Sequence, residues 1–212
     1  MSKVGLKELN KELANCRIGI DYDSIDLTPS FCVYHCHNWN HGYESCDGIE
    51  VYSDGSYAHI KDVSYKGSRR EFYSDLRDIT SFVASYMDYC SITEFIVAPC
   101  YRYNQFTSNA SQNDIYYEIR SFLKSHKIRK GERSGVRLPY NGNMNTIEMI
   151  MEGAFRGISE LCVFFPRRNL LLSPNHHFEL MFFSHNLKDE LHTCNLLLSN
   201  FENLRIFTGI NT

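Results

Sequence analysis

Hydrophobic and polar residues change period several times along the 212-residue chain. In the stretch Leu161 to Ser184, LCVFFPRRNLLLSPNHHFELMFFS, apolar runs at Leu161 to Phe165, Leu170 to Leu172 and Phe178 to Phe183 are separated by Pro166-Arg167-Arg168-Asn169 and Ser173-Pro174-Asn175. Each run is too short for a buried helix and is bounded by turn-forming residues, so the stretch predicts an antiparallel meander at the centre of the core.

Helical spacing dominates elsewhere. Leu6, Leu9 and Leu13 share one face of a short N-terminal helix whose other face is charged. Ser68 and Glu71 have the spacing of a capping box, and Phe72, Leu76, Ile79, Val83 and Tyr86 carry a stripe to about Asp88. Further helices are predicted from Asp114 to His126, from Asn145 to near Gly157, and after Asn186, the last with Leu187, Leu191, Cys194, Leu198 and Phe201 aligned. Strand patterns fall at Arg17 to Tyr22, Phe31 to His37, Phe95 to Ala98 and Leu204 to Phe207. Ile49 to Ile60 reads as a hairpin around Asp54-Gly55. Hairpin-linked strands interrupted irregularly by helices define an α+β chain with a mainly antiparallel sheet rather than a wound βαβ fold. Phe164, Leu171, Phe182, Leu191 and Leu198 are expected to be buried together, the meander covering its apolar face with the last helix.

No Pro/Gly/Ser-rich linker divides the chain, so residues 1–212 are expected to form one domain. The polar loop from Asn104 to Gln112 is its best candidate for a mobile segment. The N-terminus is charged from Lys3 and lacks a secretory h-region, and no apolar run approaches the ~20 residues needed to span a bilayer, so a soluble, cytoplasmic protein is expected. Eight cysteines without a CxxC pair, mostly within apolar strings, fit free thiols in a reducing compartment. The chain is rich in rings, 14 Tyr and 14 Phe, which suits either a core or a binding face.

Candidate chemistry is sparse. No nucleotide loop, standard zinc spacing or nucleophile elbow is present, and no cofactor is implied. On a strand, His35 and His37 would point to one face, where His41 or Asp47 could complete a divalent-metal site and Asp47 or Glu50 could act as base, the pattern of a metal-assisted hydrolase or nuclease. The plainer account is a group of hydrogen-bonded histidines at a strand end. His176, His177 and Glu179 offer an acid/base pair only by proximity in sequence, and nothing local activates Cys36 or Cys100 as a nucleophile.

Charge is distributed unevenly. Lys124, Lys127, Arg129, Lys130, Arg133 and Arg137 face a single acid, Glu132, but the chain's net charge of -3 makes nucleic acid an unlikely general partner. Residues 1–62 carry ten acids against five bases, and Asp21, Asp23, Asp26, Glu44 and Asp47 are the candidate contacts for a basic protein partner.

The Leu-Cys-Val-Phe-Phe-Pro strand, the Leu-rich strand and His-Phe-Glu-Leu-Met-Phe-Phe-Ser before a polar-capped helix, about residues 158–200, resemble the α+β pattern of small bacterial immunity proteins that neutralise secreted toxins. The resemblance implies a cytosolic, non-enzymatic antitoxin that binds a toxin domain. It carries no functional motif, so no binding residue transfers with it.

Overall fold

A computed structural model describes residues 1–14, 31–35, 69–99, 105–107, 113–175, 178–184 and 186–208. The described strands form one eight-stranded sheet in which every neighbouring pair is antiparallel. In chain order the elements are β1 (Ser2–Val4), α1 (Leu6–Ala14), β2 (Phe31–His35), α2 (Arg69–Tyr89), β3 (Glu94–Pro99), α3 (Asp114–Ser125) and β4 (Gly135–Pro139). There follow α4 (Met144–Phe155), β5 (Leu161–Phe165), a 3-10 turn (Pro166–Arg168), β6 (Leu170–Asn175), β7 (Glu179–Ser184), α5 (Leu187–Leu198) and β8 (Leu204–Phe207). The sheet order is β1-β4-β3-β5-β6-β7-β2-β8, so β2 is inserted between the predicted meander β5-β6-β7 and the last strand.

Side-chain alternation divides the apolar residues between the two sheet faces. Phe95, Val97, Val163, Leu172, Leu180, Phe182, Phe31 and Val33 join α2, α3, α4 and α5 in the larger core. Phe182 stacks on Phe31 at 4.6 Å and meets Tyr86 edge-on at 6.0 Å. On the opposite face Ile96, Ala98, Cys162, Phe164, Leu171 and Phe183 cluster with Val4 and with Leu9 of α1. Phe164 and Leu171 therefore do not share a core with Phe182, contrary to the expectation that they would be buried together. They are paired in register, and Phe182 pairs with Leu172, one residue and hence one face away. Arg137 ties α1 to this second face through Glu94 (2.8 Å) and Glu8 (3.1 Å).

Several local expectations are corrected. Ser173, Pro174 and Asn175 continue β6 instead of forming a turn. The chain reverses beyond them, where Phe178 has φ +60°. That conformation is costly for a bulky residue. Its ring is fully buried, stacked on Phe155 at 4.3 Å and edge-on to Phe72 at 5.2 Å, which offsets the cost. The α4 helix begins at Met144, and its N-cap Asn143 turns its amide to the Pro139 carbonyl (2.7 Å) instead of capping. Leu187 of α5 is exposed and Glu190 is buried, so that helix is rotated from the predicted stripe. β1 and β4, too short and too mixed in composition to stand out, were not predicted. The α2 stripe from Phe72 to Tyr86 is buried throughout. The expected cap Ser68, the strand 17–22, the hairpin 49–60 and residues 104 and 108–112 of the loop lie outside the described residues.

Candidate functional site

His35 is the one member of the predicted histidine group within the described residues; His37, His41, Asp21, Asp23, Asp26, Glu44 and Asp47 lie outside them, as do Glu50, Cys36, Cys100, His176 and His177. β2 delivers His35 to the helix-covered face, where it is fully buried against α2. Asp75 and Asp78, three residues apart and therefore on one helical face, both approach its Nε2, at 3.4 Å and 3.2 Å. Asn203, in the turn between α5 and β8, donates to the same Asp78 oxygen at 3.2 Å. Asp75 is almost completely buried, with the His35 ring nitrogen among its polar neighbours. The cluster links β2, α2 and the last turn of the chain. Among the described residues no group of three or more His, Cys, Asp or Glu is placed to hold a metal ion.

A second buried cluster was not anticipated. Glu190 of α5, 1 % exposed, accepts from the Tyr86 hydroxyl on one oxygen and from Arg168 Nη2 at 2.8 Å on the other. Burial and the neighbouring Glu190 carboxylate raise the Tyr86 phenol well above its ordinary pKa, so it remains a donor. Burial opposes the Arg168 charge, but Tyr86 and Glu190 outweigh it and hold the guanidinium protonated. Two cysteines lie beside this triad. Burial pushes both the Cys90 and Cys194 thiols up, which makes them poor nucleophiles. The signal for Glu190 was present in the sequence, since 190, 194, 197 and 201 have the same spacing as the predicted stripe through Cys194. A carboxylate in the first of those positions made the apolar alternative look better.

Between α3 and α4 runs a shallow groove lined by Glu118, Ser121, Phe122, Ser125, Asn145, Thr146 and Met149. Burial, then the nearby Glu152, Asp114 and Glu148, raise the Glu118 carboxyl. Arg156 braces this side of the molecule through Glu152 (2.9 Å) and Asp114 (3.1 Å), and Tyr73 donates to Glu152 at 2.9 Å. Glu179 is largely buried and pushed up by that burial, with Asn175 donating to it at 2.9 Å. It serves the β6–β7 turn.

No protein-family model matches the chain, and no curated protein or solved structure is significantly similar to it. No helix among the described residues is long and apolar enough to cross a membrane.

Proposed function

We propose that the chain is a non-enzymatic interaction protein, in its most concrete form a bacterial immunity or antitoxin protein that binds and neutralises a basic toxin domain. The observation that supports this reading is how the buried ionisable groups are used. His35, Asp75 and Asp78 fasten β2 to α2, and Tyr86, Arg168 and Glu190 fasten α5 to the core, each group turned toward another element of the fold. Acid/base groups consumed in this way hold a scaffold together. The first 62 residues carry net -5 by sequence, which favours a cationic partner by steering and complementarity.

The test is partner capture from the producing cell, followed by calorimetry of the purified pair. The expected result is a tight 1:1 complex with a basic protein domain whose activity is lost on binding, and which is weakened when Asp21, Asp23 and Asp26 are each replaced by Lys. Absence of a stable partner, or a complex indifferent to those three reversals, overturns the proposal.

A further inference from the structure

We propose that the turn joining α3 to β4, residues 126–134, is a preorganised docking site for a short acidic segment of a protein partner. It is opposite in charge to the acidic first third and is tested separately from it. The turn is built from the end of α3. Lys127 has φ +60°, Ile128 N donates to Leu123 O at 2.9 Å, and Lys127 N donates to Lys124 O at 3.0 Å. These are the paired bonds of a Schellman stop, closed by the buried side chains of Leu123 and Ile128. Further on, Gly131 has φ +76° and Glu132 N bonds Arg129 O at 3.0 Å.

A buried amide then fixes the turn from within. Gln105 is 2 % exposed; its Nε2 donates to Arg129 O (2.8 Å) and Glu132 O (3.0 Å), and its Oε1 accepts from Gly131 N (3.3 Å). The turn's one acid is also used internally. Glu132 accepts from Arg129 N (2.9 Å), from Ser134 Oγ (2.9 Å) and from Lys3, and the backbone N–H of Arg129 followed by the Lys3 contact holds its carboxyl down at about 2.

The cations are arranged the other way. Lys124, Lys127, Arg129 and Lys130 are all exposed, and among the described residues no carboxylate pairs with any of them. Four uncompensated cations within seven residues, on a backbone already fixed, can meet an anion with little further ordering cost. Lys127 occupies a left-handed position, as the exposed Ser91 does in the same stop after α2, and it places its charge at the tip of the turn. A short acidic segment fits better than nucleic acid, because an extended polyanion running past the turn meets a chain of net charge -3.

Fluorescence anisotropy with labelled hexaglutamate, at low and at physiological salt, tests this on the full chain. Saturable, salt-weakened binding is expected, and the triple variant Lys127→Glu/Arg129→Glu/Lys130→Glu should weaken it by about tenfold or more. Lys127→Gly separates binding from folding: it should raise the thermal unfolding midpoint while weakening hexaglutamate roughly two- to threefold. Unsaturable binding, a triple variant that binds like the wild type, or tighter binding of duplex DNA than of hexaglutamate overturns the proposal.

Discussion

Replacing Glu190 by alanine tests whether the buried charge between α2, α5 and the turn after β5 acts as one unit. The substitution leaves the Tyr86 hydroxyl, on a side chain with no exposure, without its acceptor, a loss of about 1–3 kcal/mol. It removes one buried methylene, at roughly 0.8 kcal/mol, and leaves space where it and the carboxylate were. Arg168 also loses its anion, but its side chain is 31 % exposed and can rehydrate, so this contribution stays under about 1 kcal/mol. Together these give about 2–5 kcal/mol, overlapping the range for breaking a buried pair and a large share of a typical total stability of ~5–15 kcal/mol. Tyr86→Phe alone leaves one carboxylate oxygen without its hydroxyl donor and should cost about 1–3 kcal/mol. In the double variant the orphaned phenol is gone, so Tyr86→Phe/Glu190→Ala should be no less stable than Glu190→Ala alone. Urea unfolding followed by far-UV circular dichroism measures all three, and an unchanged m-value shows that the unfolded reference is the same. If the two single costs add within about 0.5 kcal/mol, or Glu190→Ala costs under about 1 kcal/mol, the side chains do not act as one network and the reasoning is wrong.

Phe182→Ala, at a fully buried ring stacked on Phe31, should cost about 3–5 kcal/mol, whereas Leu187→Ala on the exposed side of α5 should change stability by under about 0.5 kcal/mol; equal losses in urea unfolding would show that α5 is not rotated as described. Glu132 is held at about 2 in the folded chain against 4.5 ordinarily, so its contribution is fully present above pH 4.5 and is lost as the pH falls toward 2. The thermal midpoint of Glu132→Gln should accordingly lie below that of the wild type at neutral pH and approach it over this acidic window; a constant difference across the window would contradict the assignment.

The meander and the α2 stripe were legible because apolar period alone determines them: Leu161 to Phe165 and Phe72 to Tyr86 bury the residues that their spacing selects. Which face of the sheet a residue reaches was not legible for Phe164, because a run of five apolar residues has no alternation to read and register is set by partners such as Ile96 and Leu171. The rotation of α5 was hidden for a related reason. A buried Glu190 is acceptable only because Tyr86 and Arg168 come to it from elements 104 and 22 residues away along the chain, and no local pattern reports a partner at that distance. Of the candidate site, the sequence located His35 and the basic segment but not what they face. Asp75, within the buried stripe of α2, meets His35 of β2, 40 positions away in number, and no local pattern reports that pairing.

The segment after α3 shows how a local misfit can be informative. Read for folding alone, a helix ending at Ser125 calls for glycine two residues later, and the two hydrogen bonds of the stop are both formed around Lys127. Glycine occupies positive φ at 131, 142 and 157. Elsewhere Ser91 makes the same stop after α2 without glycine, Asn169 tolerates the left-handed region, and Phe178 has a buried pocket to fill. Lys127, like Ser91, is exposed, and among the described residues it meets no carboxylate. What its presence adds is a positive charge at the tip of a turn that Gln105 already holds in place. Since Ser91 carries the same conformation at an exposed position, it is the charge of Lys127, not its φ, that bears on recognition.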